Sequence, residues 1–170
     1  MSLKVLIAPD KVLTQKSIDV KEDEFGDGLN SFVNQMIITM KENNGIGLAA
    51  IQVGLKRRII VASIDGKDVA LINPKIVSFS DDKSTMEEGC LSVPTILAEI
   101  TRPESIVVSY IDRDYNQVEE RFSGLASHII QHEIDHLNGK TILSGLSRLK
   151  RDIYRRKVKK IRKKLKNYFI

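Results

Sequence analysis

From Gln131 to Leu137 the chain reads Gln-His-Glu-Ile-Asp-His-Leu. His132 and His136 are four residues apart, so on a helix both imidazoles leave the same face about one turn from each other. Two nitrogens in that arrangement can hold one divalent metal, and Glu133 between them can act as a base toward water. A solvated helix face carries the same pattern, so two histidines alone decide nothing. A hydrolytic metal site takes three protein ligands and keeps a position open. The extended zincin spacing puts the third ligand at Ile142, which cannot coordinate, and no glutamate follows Glu133. The attractive ligand that remains is Cys90, the only cysteine.

Cys90 lies in Met86-Glu-Glu-Gly-Cys-Leu-Ser-Val-Pro94. A lone cysteine is most often a small buried apolar residue. Here Glu87, Glu88, Gly89 and Pro94 break any regular core pattern, and a thiolate ending an extended segment can complete a Cys-His-His set. The alternative pairs Cys90 with His132 or His136 as the nucleophile of a cysteine hydrolase, which leaves Glu133 unexplained. A third stretch, Gly45-Ile-Gly-Leu-Ala-Ala-Ile-Gln52, fails as a phosphate loop because it lacks the third glycine and any Gly-Lys-Ser/Thr. Its small residues let backbone approach a ligand, and Gln52 can aim an amide N–H at an oxygen gaining negative charge. Standing alone, it reads better as a glycine-rich helix exit with a surface glutamine.

These residues need a scaffold, and 170 residues suffice for one domain with its own core. Apolar spacing of three and four through Leu29, Phe32, Val33, Met36, Ile37 and Met40 predicts a helix from about Asp27, ended by Asn43-Asn44-Gly45. Short β-branched runs follow at 58–64, 69–73, 76–79, 96–101, 106–111 and 118–122, with turns at Asp65-Gly66, Asn73-Pro74 and Asp112–Asn116. No helix-length segment separates most of them, so the strands are expected to be antiparallel or mixed. A second helix starts near Ser123, carries the two histidines and ends at Asn138-Gly139. A last helix from about Ser147 has Leu149, Ile153, Tyr154, Val158, Ile161 and Leu165 as its apolar stripe. Upstream, Val12, Leu13, Ile18 and Val20 are candidates to pin an irregular segment to the body. The expected architecture is a single α+β domain over 1–170: short antiparallel or mixed sheets around a central helix bearing His-Glu-x-x-His, plus an N-terminal and a C-terminal helix.

Composition excludes several classes. Hydrophobic residues make up 42% and charged residues 29%, ordinary for a globular chain. The longest apolar runs are too short to cross a bilayer, no signal-peptide core follows Met1, and one cysteine suits a reducing compartment, so a cytoplasmic protein is expected. No repeat supports a solenoid. The net charge of +5 is uneven: residues 148–166 carry 12 Lys or Arg against Asp152 alone, +11 locally and −6 elsewhere. Any preference for anions belongs to that tail.

Gly-Ile-Gly-Leu-Ala-Ala-x-Gln, Glu-Gly-Cys-Leu-Ser and Gln-His-Glu-x-Asp-His, in this order and spacing, resemble the peptide deformylases. The likeness runs from Leu6-Ile-Ala-Pro-Asp10 to a C-terminal helix of the type found in bacterial members. It implies removal of the formyl group from N-terminal formyl-methionine of nascent polypeptides, releasing formate. By resemblance, Cys90, His132 and His136 would hold one divalent metal, iron(II) or zinc. Glu133 would move the proton, and Gln52 with the backbone N–H of Leu91 would stabilise the oxyanion. Met86, Leu125, Ile129 and the His132 ring would line the methionine pocket. Ile46 and Gly89 would bond the peptide backbone, Gly47 would roof the formyl site, and Glu88, bordering it, would orient the metal shell. Two positions depart from the family's pattern. Leu97 stands where an arginine is expected, and His128 replaces an apolar residue; His128 is expected to be a partly exposed helix histidine. Asp135 is expected to pair with Arg102.

The resemblance also associates the basic helix with ribosome binding, with Arg155, Arg156, Lys159, Lys160, Lys163 and Lys164 facing RNA phosphates. A solvated charged face and, more weakly, a membrane-surface helix compete with that reading. The competing functions are a general zinc endopeptidase and an RNA-binding module with a structural metal. No oligomer is implied.

Overall fold

The computed structural model describes residues 2–166, with side chains through residue 160. Three helices, α1 (Asp27–Glu42), α2 (Gly124–Leu137) and α3 (Arg148–Lys166), accompany seven strands. The strands are β1 (Gly47–Ala49), β2 (Ile59–Ile64), β3 (Lys67–Phe79), β4 (Lys83–Glu88), β5 (Ala98–Pro103), β6 (Ser105–Ile111) and β7 (Gln117–Ser123). They form a five-stranded sheet in the order β1-β2-β3-β6-β7 and a two-stranded sheet β4-β5, all pairs antiparallel. The α+β expectation holds.

The unbroken apolar run of β2 follows from its burial on both faces. Ile60 and Ala62 pack with Leu71, Ile106, Val108 and Phe122 against Ile129, Ile130, Ile134 and Leu137 of α2. Ile59 and Val61, pointing the other way, join Ala70 and Ile72 against Val33, Met36 and Met40 of α1. The sheet is therefore clamped between two helices, and the chemistry-bearing helix α2 is packed against one face of it. Its exit is fixed by Gly139 at φ 75°, where a Cβ would fall 2.6 Å from the carbonyl oxygen of Thr14. Only glycine meets both demands.

Several expectations are corrected. Asn73-Pro74 does not end a strand: β3 runs through it, with the register shifting between Ile72 and Lys75. Asn73 takes a positive φ of 53°, and its amide clamps Val20, accepting from the Val20 N–H at 2.7 Å and donating to its carbonyl at 2.9 Å. Leu13 and Val20 do pin the N-terminal segment, whereas Ile18 is exposed. The predicted strand from Ile96 starts at Ala98 and extends to Pro103. On α3 the docking side chains are Tyr154 and Val158, packed with Ala8, Leu13, Val93 and Ile142. Leu149 is 71% exposed and Ile153 is exposed as well, because α3 contacts the body over one narrow seam only. Ile161, Leu165, Lys163 and Lys164 lie outside the described side chains.

Candidate metal centre

Three elements meet at one point. Helix α2 supplies His132 and His136, whose ring centroids are 5.0 Å apart. The turn after β4 supplies Cys90, with Sγ 3.2 Å from Nε2 of His136. One ligand atom from each of Cys90, His132 and His136 falls within 4.8 Å of the others, a spacing that fits a single divalent cation between them. The donor set, one thiolate and two imidazoles, leaves a position open.

Around the cage the polar groups are assigned roles by their partners. Glu88 sits under His132, with Oε2 2.8 Å from Nδ1. Burial works against its charge, but hydrogen bonds from His132 and Arg102 prevail and hold its pKa down to about 2. An ionised carboxylate only accepts, so His132 donates from Nδ1 and presents Nε2 to the cage. Arg102 donates to Glu88 from Nε at 2.6 Å and Nη2 at 2.9 Å, and to Asp135 from Nη1 at 2.8 Å. The expected Asp135–Arg102 pair is thus present and carries Glu88 with it. Burial also opposes charge on His132; with the protein groups alone, the Cys90 thiol and Glu88 outweigh it and raise the pKa to about 10. Burial, then the neighbouring His132, pushes His136 down to about 3. A cation held by Cys90, His132 and His136 would take the place of a proton on His132.

Glu133 is buried, its Oε2 has no hydrogen-bond partner, and desolvation raises its pKa to about 7. It abuts β1 at Gly47, where a Cβ would come within 3.0 Å of the Glu133 Cδ. Gln52, in the one-turn 3₁₀ helix Ala50–Val53, accepts the Ala49 N–H through Oε1 at 2.7 Å. That contact turns Nε2 inward, where it donates to the Ser92 hydroxyl at 3.1 Å and lies 3.7 Å from Cys90 Sγ. The surface-glutamine alternative is excluded, since Gln52 is buried.

A cleft of about 360 Å³ opens onto these groups. Ile46, Gly47, Gln52, Met86, Glu88, Gly89, Cys90, Leu91, Leu125, Ile129, His132 and Glu133 all line it. Leu125 is 58% exposed at its mouth rather than packed in the core. The Ile46 carbonyl accepts from the Ser63 N–H at 2.9 Å, which ties that rim to β2. Leu97 is 65% exposed and rests near Gly89, without the charge an arginine would bring.

His128 is corrected outright. It is 2% exposed, with Nδ1 3.0 Å from Glu88 Oε1 and Nε2 3.0 Å from the Ser84 hydroxyl. The sequence assigns no role to Ser84, nor to Ser92 at the end of Glu-Gly-Cys-Leu-Ser. The available signal was alternation: Ser84, Met86 and Glu88 share the covered face of β4, but two of the three are polar and hide the strand.

An α+β scaffold presenting a thiolate, two imidazoles and an unpartnered buried carboxylate in one cleft defines a metal-dependent hydrolase. The polypeptide deformylase profile matches residues 2–152. The peptide deformylase of Maricaulis maris is 43% identical over 165 residues, covering 94% of each chain. The solved peptide deformylase of Ehrlichia chaffeensis is 36% identical and superposes with a TM-score of 0.90 over 100% of both chains. A third, from Acinetobacter baumannii with Met-Ala-Ser bound, is 32% identical, with a TM-score of 0.83 over 86% of this chain and 99% of that one. The chain belongs to the polypeptide deformylase family, metallohydrolases that deformylate nascent peptides. Among the described residues no helix is long and apolar enough to cross a membrane.

Proposed function

We propose that Cys90, His132 and His136 hold one iron(II) or zinc ion, and that the cleft hydrolyses the formyl amide of N-formylmethionyl peptides in the cytoplasm. The observation that carries the assignment is the convergence of the three ligand atoms beside a buried carboxylate with no partner of its own. One thiolate and two imidazoles suit either metal. When bound, the ion supplies Lewis-acid polarisation and lowers the pKa of water.

The rest of the work falls to the chain. Glu133, dry and with its pKa near neutrality, accepts the proton of the attacking water and returns one to the departing amine nitrogen. Gln52 Nε2, already turned inward by its Ala49 contact, donates to the oxygen that gains charge, together with the Leu91 N–H. Met86, Leu125, Ile129 and the His132 ring receive the methionine side chain, and Ile46 and Gly89 hold the peptide backbone in strand fashion. The Met-Ala-Ser ligand of the Acinetobacter baumannii enzyme supports this reading. Packing of Gly47 against Glu133 leaves little room beside the base, which favours formyl over acetyl by about 1–3 kcal/mol or more where the clash is rigid. Formate release from a formyl-Met tripeptide, with and without Glu133→Ala, is the test. Undiminished release in the variant would remove Glu133 from its role.

The basic helix supports contact with ribosomal RNA. Tyr154 and Val158 anchor α3, leaving Arg155, Arg156, Lys159 and Lys160 exposed. Phosphate contacts weaken steeply with salt. Co-sedimentation with ribosomes is expected at low salt and lost at high salt or on reversing those four charges to glutamate. Salt-independent binding would dismiss the contact.

A further inference from the structure

His128 has no part in the chemistry above, yet it is buried beside it. Both of its ring nitrogens are engaged, and the ionised Glu88 dictates how. Because Glu88 only accepts, His128 donates from Nδ1, and Nε2 of the neutral ring accepts the Ser84 hydroxyl proton. Glu88 thereby takes four donors: two from Arg102, one from His128 at 3.0 Å and one from His132 at 2.8 Å. Four is about the full lone-pair capacity of a carboxylate.

The arrangement is a consequence of register. Ser84 and Glu88 are four residues apart on one face of β4, and His128 and His132 are one turn apart on α2. His128 spans from Ser84 to Oε1, while His132 takes Oε2. Without His128, Oε1 is held by Arg102 Nε alone, and the carboxylate can pivot about the arginine fork. That pivot alters the contact that sets the His132 ring. An apolar side chain would wall the cleft equally well, but it would leave the Ser84 hydroxyl without its acceptor and Oε1 short of a donor.

We propose that His128, oriented by Ser84, is a positioning residue of the metal cage: it locks the Glu88 carboxylate and, through it, the His132 ring. The inference rests on the ligand assignment given under Proposed function. Ligand-positioning partners of this kind typically change metal affinity by about 10–100-fold, and His128 acts one bond further out, toward the low end.

The test loads the full chain with zinc and follows its loss to a chelating dye. Parent, His128→Leu, His128→Asn and Ser84→Ala are compared, with melting of the zinc-free proteins and formyl-Met tripeptide kinetics alongside. His128→Leu is expected to release zinc about tenfold faster, Ser84→Ala less so, and His128→Asn, whose amide can still donate to Glu88, to recover most of the retention. Turnover should fall more than KM rises. Parent-like retention in His128→Leu, or an Asn variant as leaky as Leu, overturns the proposal; so does zinc loss that merely tracks a lowered melting point. Should His128→Leu not fold, parent-like retention in Ser84→Ala overturns it equally. A parent that takes up no stoichiometric zinc would instead refute the ligand assignment beneath it.

Discussion

Gly47 faces Glu133 so closely that a methyl group on its Cα would sit 3.0 Å from the Glu133 Cδ and nearer still to Oε1. Strand β1 and helix α2 are pressed together at the one position where the carboxylate must sit. Gly47 lies outside the left-handed region, so alanine is tolerated by the backbone and the conflict is with the side chain alone. Gly47→Ala is expected to keep its fold and its zinc while kcat drops about 100-fold, the effect of misplacing a reacting group by roughly 1 Å. Steady-state kinetics with a melting curve checks this. Unchanged kcat would mean that Glu133 has room to step aside.

Burial holds the Glu133 pKa near 7 with the protein groups alone, above the ordinary 4.5, and a divalent cation nearby draws it back down. The base works only when deprotonated. The acid limb of kcat/KM is therefore expected between pH 4.5 and 7, and Glu133→Gln should lower the rate by about 10²–10⁴-fold while retaining metal. In the metal-free protein the sign for stability is opposite to that of an ordinary paired carboxylate. A raised folded-state pKa stabilises below pH 4.5, and the contribution is lost as pH rises through about 7. The difference between parent and Glu133→Gln melting points across that interval measures it.

Gln52 has two ends with separable duties: Oε1 takes the Ala49 N–H, and Nε2 points to the cage. Gln52→Glu keeps the first and replaces the second with an acceptor facing a thiolate and a developing oxyanion. It is expected to fold normally and to lose about 3 kcal/mol of barrier lowering, roughly 100-fold in kcat, with KM little changed. A loss confined to KM would place Gln52 in binding rather than in charge stabilisation.

The sequence disclosed the site wherever residue type and local spacing were enough. His132 and His136 on one helix face, and the apolar stripe of α1, needed no knowledge of the fold. The Asp135–Arg102 pair, 33 positions apart, came with the family resemblance rather than from local spacing. What stayed hidden depended on pairing across distance. β4 carries polar Ser84 and Glu88 on its covered face, so alternation gave no apolar signal there. His128 looked like a surface residue because its two partners lie 40 and 44 positions away. Asn73-Pro74 has turn chemistry, and only the clamp onto Val20 shows why a strand passes through it. On α3, a stripe periodic enough to be a full interface meets a body that fully buries only Tyr154 and Val158 among its described side chains.

Glu88 ties the metal cage to the rest of the molecule, which makes its substitution the broadest test. Glu88→Gln keeps the volume but removes the charge, and its amide N–H₂ must face a donor, whichever way it turns. The remaining carbonyl oxygen takes either the Oε1 place, keeping Arg102 Nε and His128, or the Oε2 place, keeping Arg102 Nη2 and His132, and the other two donors lose their acceptor. A broken buried pair costs about 3 kcal/mol or more, toward the low end here because Asp135 still holds Nη1. Metal affinity should fall about 10–100-fold. The pH signature is specific as well. With its folded-state pKa held near 2, Glu88 contributes stability above pH 4.5 that disappears as pH falls toward 2, and the glutamine variant lacks that dependence. Acid unfolding of parent and variant, followed by circular dichroism, should therefore converge at low pH. Parallel curves across that range would mean that Glu88 is not ionised in the folded protein.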